Sequence, residues 1–156
     1  MKLKQPGTLV LCILLTVGTG ALSGYLTGPE IDGWYAGLEK PSFNPPNYIF
    51  GPVWTTLYLL MGISLYLVVI RSSAWKKMAI AAFVVQLVLN FFWSIIFFNL
   101  HDTGFALIEI GFLWVSILFM ILMFYRIHRP AAFLQIPYLL WVSFASILNA
   151  AIHNLN

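Results

Sequence analysis

The chain has 156 residues, of which 61% are apolar and only 8% are charged, and its mean hydropathy is +0.90. About a quarter of the residues of a soluble domain are charged, so this composition excludes an ordinary soluble protein. The net charge of +3 comes without a basic patch that carries an aromatic platform, and nucleic-acid binding is therefore not expected.

Five apolar segments are long enough to cross a bilayer, because a hydrocarbon core of about 30 Å needs roughly 20 helical residues. They cover about 7–27, 51–70, 78–99, 104–125 and 131–153. These are continuous apolar runs, unlike the alternating segments of a membrane β-barrel. The sequence therefore predicts an all-α integral membrane protein, a single domain over 1–156 with five transmembrane helices.

The first segment resembles a secretory signal, because a lysine-containing start precedes an apolar run. The run continues to Leu26, longer than a signal core, and we interpret it as a helix of the mature protein. It carries Thr16, Gly20, Gly24 and Gly28 at four-residue spacing. This pattern predicts close approach of another helix, either from the same chain or from a second copy.

The basic residues predict the orientation in the membrane. Lys40 lies on one side of the predicted bundle, and the seven others lie on the opposite side: Lys2, Lys4, Arg71, Lys76, Lys77, Arg126 and Arg129. Because cytoplasmic loops are enriched in lysine and arginine, we expect a cytoplasmic N terminus, with the C terminus and the 28–50 loop outside.

The sequence lacks the residue sets of conventional active sites. Cys12 is the single cysteine, and His101, His128 and His153 are scattered, so neither a metal site nor a cofactor is expected. No nucleophile–base–acid set, paired carboxylates or phosphate loop is present. Glu109 is the one acid well inside a predicted span, which makes it a functional candidate unless it reaches the interface.

The 28–50 loop is rich in prolines and aromatic residues, including Trp34, Tyr35, Pro41, Pro45 and Pro46. Proline restricts its own backbone and that of the preceding residue, so this loop is pre-ordered and loses less entropy on closing over a ligand. The alternative is a rigid connector without a ligand.

Polar and aromatic side chains share faces on three predicted helices. The second helix carries Trp54 and Tyr58, the third carries Gln86, Asn90, Trp93 and Phe97, and the fifth carries Tyr138, Trp141, Ala145, Leu148 and Asn149. Buried amides are unfavourable unless they find partners. We expect a cavity between these helices, roofed by the loop, that suits a large, flat, apolar ligand with a few polar edges. Alternatively, the aromatic residues pack in the core or face lipid, and the amides hold helices together.

Three blocks resemble the translocator-protein family, also called the tryptophan-rich sensory proteins or peripheral benzodiazepine receptors. The first is Trp34-Tyr35-x-x-Leu38-x-Lys40-Pro41-x-Phe43-x-Pro45-Pro46 with Phe50-x-Pro52-Val53-Trp54. The second is Leu89-Asn90-x-x-Trp93-Ser94-x-x-Phe97-Phe98, and the third is Pro137-Tyr138-x-x-Trp141-x-x-Phe144-Ala145-Ser146-x-Leu148-Asn149. The resemblance implies a five-helix membrane protein, usually a homodimer. The small, histidine-poor chain with a short N terminus fits a bacterial plasma-membrane protein better than a mitochondrial one. It also implies binding of porphyrins such as protoporphyrin IX, of sterol-like lipids, and of isoquinoline or benzodiazepine ligands.

The resemblance also assigns residues. The ligand pocket of the family maps onto Tyr35, Pro45, Trp54, Asn90, Trp93, Trp141, Ala145 and Leu148, to which we add Tyr58 from the face of Trp54. Bacterial relatives are associated with light-dependent breakdown of protoporphyrin, and Trp54 and Trp141 match the tryptophans implicated in it. Sterol binding is not expected at the end of the fifth helix, because Ala150-Ala151-Ile152-His153-Asn154 stands where animal relatives have a tyrosine pair and an arginine.

The leading hypothesis is therefore a porphyrin-binding membrane protein that promotes oxidative degradation of its ligand. Trp54 and Trp141 would donate electrons or trap radicals, while Tyr35 and Asn90 would orient the polar edge. A non-catalytic sensor or scavenger of tetrapyrroles or lipids is the second hypothesis. A transporter is the third, although neither internal repeats nor broken helices at the midplane are evident.

Overall fold

The computed structural model describes residues 5–156, so Lys2 and Lys4 of the predicted orientation lie outside the described residues. The helices are α1 (Pro6–Asp32), α2 (Trp34–Gly37), α3 (Asn47–Val69), α4 (Lys76–Ser94), α5 (Thr103–Ile127), α6 (Arg129–Phe133) and α7 (Ile136–Leu155), and a π-helical turn (Ile95–Asn99) extends α4. Among residues 5–156, five helical segments are long and apolar enough to cross a membrane. The prediction of an all-α membrane bundle with five transmembrane helices is confirmed.

The connection between the first two spans is shorter than the predicted 28–50 loop. Helix α1 continues to Asp32 and α3 begins at Asn47, so residues 33–46 remain, and they include the short helix α2. We call residues 33–46 the lid. Neither Pro29 nor Pro52 ends its helix: Pro29 lies inside α1 near its C-terminal end, and Pro52 lies inside α3 as its sixth residue.

The fifth span is two helices and not the continuous helix predicted over 131–153. Helix α6 ends at Phe133, and α7 begins at Ile136 after a turn at Leu134 and Gln135. Pro137 lies in the first turn of α7, where its missing N–H has no helical partner to lose. The chain thus turns before Tyr138, and Tyr138 on α7 contacts Trp54 on α3 and Asn90 on α4.

Helices α1 and α3 touch closely in one half of the membrane and diverge in the other. A Cβ atom on Gly62 would lie 2.8 Å from the Cα atom of Ile13, and one on Gly20 would overlap the ring of Tyr58. The Thr16 hydroxyl donates to the Tyr58 carbonyl oxygen at 2.8 Å. Gly24 has no neighbouring atom within 4 Å of such a Cβ position, so the helices have separated there.

This arrangement assigns different roles to the small residues of α1. At Thr16 and Gly20 the approaching helix is α3 of the same chain. At Gly24 and Gly28 open space replaces helix packing. The space that the diverging helices leave is the beginning of a cavity.

Helix α5 is the central support of the bundle. One of its faces is fully buried against α4, α6 and α7 and carries Ala106, Ile110, Leu113, Ile117, Met120 and Phe124. These residues recur at helical spacing, which is the pattern of a core-facing stripe. Asp102 caps the helix by accepting a hydrogen bond from the Phe105 amide at 2.8 Å.

Candidate functional site

A cavity of about 360 Å³ lies between α1, α3, α4 and α7, directly beneath the lid. Its walls are mainly apolar and aromatic. The aromatic residues that line it are Tyr35, Phe50, Trp54, Tyr58, Trp93, Phe97, Phe98 and Trp141. An apolar cavity with a few polar groups is the usual form of a small-molecule site.

The structure brings most of the sequence-predicted site residues to this cavity. Those that line it are Tyr35, Trp54, Tyr58, Trp93, Trp141, Ala145 and Leu148. Pro45 and Asn90 do not line it. Pro45 lies in the extended part of the lid, where its carbonyl oxygen accepts a hydrogen bond from the Asn44 amide at 3.0 Å.

Asn90 lies behind the cavity wall as the centre of a hydrogen-bonded chain across three helices. The Tyr58 hydroxyl donates to Asn90 Oδ1, and Asn90 Nδ2 donates to the Tyr138 hydroxyl at 3.0 Å. Both side-chain groups of Asn90 are therefore used within the protein. Asn90 acts on the cavity through the position of the Tyr58 ring, and the expectation that it contacts a ligand directly does not follow from this geometry.

The tryptophans of the cavity differ in the use of their indole N–H groups. The Trp93 N–H donates to Asn149 Oδ1 at 3.2 Å, and Asn149 Nδ2 donates to the Thr103 carbonyl oxygen at 2.9 Å. Within residues 5–156, neither the Trp54 nor the Trp141 N–H donates a hydrogen bond. These two indoles are therefore the ones free to donate to a ligand.

A π-helical turn widens the aromatic wall on the α4 side. Because the turn from Ile95 to Asn99 contains an extra residue, Phe97 and Phe98 both reach the cavity, next to Trp93 and Ser94. Phe97 stacks on Trp93 with ring centroids 5.2 Å apart. Sequence reasoning placed Phe97 on a shared face but gave no signal for the π turn, since its hydrogen bonds depend on tertiary packing.

The contribution of α1 to the cavity was missed by sequence reasoning. Its lining residues are Val17, Gly20, Ala21, Ser23, Gly24, Thr27 and Ile31. The four-residue spacing of glycines was the available signal, and it predicted helix packing alone. Ala21 and Gly24 on α1 and Gly51 and Thr55 on α3 are also exposed, so the cavity opens sideways between these two helices.

The lid is held down by hydrogen bonds and aromatic contacts. The Tyr35 hydroxyl donates to Asn44 Oδ1 at 2.9 Å, and its ring packs against Phe98 with centroids 5.5 Å apart. Burial raises the pKa of Tyr35 above its ordinary value, and the hydrogen bond to Asn44 opposes this increase. The ammonium group of Lys40 lies 4.8 Å from the centroid of the same ring, a cation–π contact.

The lid is also fastened to the helix ends around it. The Asn156 side chain accepts from the Glu39 amide at 3.0 Å and donates to the Glu39 carbonyl oxygen at 3.0 Å. Trp34 stacks on His101 at 4.4 Å, and His101 pairs with Glu30 at 3.0 Å. The lid is therefore joined to α1, to α7 and to the α4–α5 connection.

Glu109 is buried but does not line the cavity. Neither of its carboxylate oxygens has a hydrogen-bond partner in the described part of the chain, and the same holds for the side-chain amides of Gln86 and Gln135.

Cys12 is a free buried thiol. No cluster of three or more histidine, cysteine or acidic side chains with metal-binding geometry occurs between residues 5 and 156.

Comparisons with known proteins agree with this arrangement. The family described as the TspO/MBR family matches residues 11–155. The chain is 41% identical over 157 residues to the tryptophan-rich protein TspO of Chlorobaculum tepidum, covering 98% of each chain. It is 43% identical to the tryptophan-rich protein TspO of Archaeoglobus fulgidus, covering 95% of this chain and 96% of that one.

The similarity extends to an animal protein. The chain is 38% identical over 119 residues to the human translocator protein, covering 74% of this chain and 70% of the human one. The family match spans the lid and all five membrane-crossing segments of the fold described above. The chain belongs to the TspO/MBR family of integral membrane proteins.

Proposed function

We propose that this protein binds porphyrins, protoporphyrin IX among them, and other flat apolar ligands of the isoquinoline or benzodiazepine type, in the cavity beneath the lid. The observation that supports this most is the aromatic wall of the cavity, which includes Trp54 and Trp141, whose indole N–H groups donate to no residue in 5–156. Aromatic faces favour flat conjugated ligands, and a few donors orient their polar edges.

The shape of the cavity is compatible with ligands of different sizes. Its volume of about 360 Å³ falls in the range of small-molecule sites, roughly 300–1,000 Å³. The sideways opening between α1 and α3 allows a larger ring system to extend past Gly24 toward the lipid. Tyr35 is the lid residue that lines the cavity.

We further propose that bound porphyrin is degraded oxidatively in light. The porphyrin absorbs the light, molecular oxygen is the oxidant, and Trp54 and Trp141 exchange electrons with the excited ligand or trap radicals. The support for this role is their shared position on the cavity wall, in a site whose described residues include no conventional catalytic set.

Illumination of the purified protein with protoporphyrin IX in aerated buffer tests this chemistry. We expect Trp54→Phe and Trp141→Phe to slow product formation by roughly tenfold or more, about 1.4 kcal/mol in the barrier. Trp114→Phe is the matched control, because Trp114 donates to Ser143 at 2.8 Å and does not line the cavity. Unchanged rates in both cavity variants would contradict the proposed role of the tryptophans.

A non-catalytic sensor or scavenger is the alternative that the same experiment distinguishes. It predicts stoichiometric binding of the porphyrin with no change in its absorption spectrum under light. That result would contradict the degradative step while leaving the binding site intact. Porphyrin flux into liposomes above that of empty vesicles would instead favour a transporter.

We propose that the lid and the C terminus face the outside of a bacterial plasma membrane and that the N terminus is cytoplasmic. The support is the distribution of the cations, with Lys40 alone on the lid side. Ser42 in the lid and Ser72 in the α3–α4 connection are both exposed. In intact cells an impermeant thiol reagent should label Ser42→Cys and not Ser72→Cys, and the reverse pattern would invert the orientation.

A further inference from the structure

Five cations are concentrated at the end of the bundle opposite the lid. They lie in or beside the α3–α4 and α5–α6 connections and are Arg71, Lys76, Lys77, Arg126 and Arg129. The five acids of the chain are all elsewhere, at Glu30, Asp32, Glu39, Asp102 and Glu109. The single ion pair found between described residues joins Glu30 to His101 near the lid. The cations therefore have no carboxylate to balance them.

The fold brings these five cations to one surface, where two of them lie over the rings of Trp75 and Tyr125. We call this surface the basic surface. The Arg126 guanidinium lies 4.5 Å from the centroid of Trp75, which joins the end of α5 to the α3–α4 connection. The Arg129 guanidinium lies 5.2 Å from the centroid of Tyr125. The expectation that no basic patch with an aromatic platform exists is wrong, because Trp75 and Arg126 are distant in sequence and meet only in the fold.

The dipole of α4 increases the positive potential of the basic surface. Lys76 and Lys77 are the first residues of this helix. The N-terminal end of a helix carries a partial positive charge, so cations are unfavourable there and anions are favourable. Helix α4 has no side-chain cap at this end.

The pKa of His128 is consistent with a positive potential at this surface. Burial lowers the pKa of His128, and the charge of Arg71 lowers it further. Its Nδ1 atom is buried without a hydrogen-bond partner among the residues that the structure describes. His128 is thus partly desolvated beside the positive charge of Arg71, and its Nδ1 atom has no partner within the described residues.

We propose that the basic surface binds the phosphate of an anionic phospholipid headgroup, between the α3–α4 and α5–α6 connections. The preference of cytoplasmic loops for cations accounts for the side on which these residues lie. It does not account for arginines placed over aromatic rings or for cations at the positive end of α4. Trp75 and Tyr125 are partly exposed at helix ends, the depth at which aromatic residues meet lipid headgroups.

The test uses the full chain in nanodiscs that contain phosphatidylcholine and phosphatidylglycerol in equal amounts. Native mass spectrometry counts the lipids that stay bound after release. We expect preferential retention of phosphatidylglycerol, a fall of roughly fivefold in its affinity in Arg126→Gln, and a fall of roughly 25-fold in Arg71→Gln/Arg126→Gln. Lys40→Gln removes the same charge at the other end and should leave retention unchanged.

Thermal unfolding midpoints in the same nanodiscs show whether each variant is folded, and Arg71 and Arg126 are exposed and remote from the cavity lining. Equal retention of the two lipids, or a preference for phosphatidylglycerol that survives in the double variant, would overturn the proposal. Displacement of phosphatidylglycerol by inorganic phosphate at matched ionic strength would overturn the lipid assignment and make this a site for free phosphate.

Discussion

Two amides one turn apart on α4 show how differently single residues can depend on their partners. Asn90 and Gln86 are both fully buried. Asn90 is bonded to the Tyr58 and Tyr138 hydroxyls, whereas the Gln86 amide has no partner in the described part of the fold. The sequence identified both as buried carboxamides that require partners, but which one obtained them depends on the tyrosines of α3 and α7.

Substitution of these residues should therefore change stability in opposite directions. Asn90→Leu leaves two buried phenols without their shared partner and should lower the free energy of unfolding by about 1–3 kcal/mol. Gln86→Met removes an unpaired amide while keeping its approximate volume and should be neutral or stabilising. Thermal unfolding midpoints in the same detergent measure both. A loss in Gln86→Met as large as that in Asn90→Leu would contradict the assigned hydrogen bonds.

At the scale of elements, the α1–α3 pair shows why glycine spacing alone was insufficient. The spacing predicted a close helix contact, and such a contact exists at Gly20 and Gly62. The spacing could not predict that α1 and α3 diverge beyond Gly20, because the divergence depends on the ring of Tyr58 and on the aromatic residues that line the cavity. The same regular pattern therefore contributes both to a packed interface and to a cavity wall.

Alanine substitutions can separate these two roles. Gly62→Ala places a Cβ atom 2.8 Å from the backbone of Ile13, which cannot move freely, and should cost about 1–3 kcal/mol of stability. Gly24→Ala meets no atom within 4 Å and should be neutral or slightly stabilising. Unfolding by a denaturing detergent compares the two. Equal losses would mean that α1 and α3 are packed along their whole length.

The lid is the element whose behaviour should depend on pH. Burial raises the pKa of Tyr35, so the closed lid favours the neutral phenol. The contribution of Tyr35 to lid closure is complete below its ordinary pKa of about 10 and is lost as the pH rises through the higher value. Ligand affinity should therefore be constant up to about pH 10 and decrease as the pH rises further.

Tyr35→Phe is the control for this pH dependence. It keeps the ring beneath Lys40 but removes both the titrating group and the hydrogen bond to Asn44. Its affinity should be lower at neutral pH and should vary less with pH than that of the unmodified protein. If the two proteins lose affinity in parallel, Lys40 or another group controls the lid.

At the scale of the whole molecule, the sequence was sufficient for the class of fold and insufficient for the shape of the site. Hydropathy and length predicted five spans, because lipid requires long apolar helices. Most of the predicted pocket residues line one cavity, since Trp54, Trp93 and Trp141 lie on faces that helical periodicity specifies. The α1 wall, the π turn and the side opening depend on how helices diverge, which periodicity does not specify.

The central claim is that ligands occupy the cavity beneath the lid. The most direct test is a titration of protoporphyrin IX into a variant in which a large side chain fills the cavity. Gly24→Phe should fill the open part of the cavity, and Gly18→Phe is the matched control, because it makes the same change on α1 at a position outside the lining. We predict that stoichiometric quenching of tryptophan fluorescence is lost in Gly24→Phe and kept in Gly18→Phe, at similar unfolding temperatures. Equal binding by both variants would place the ligand elsewhere and contradict the account.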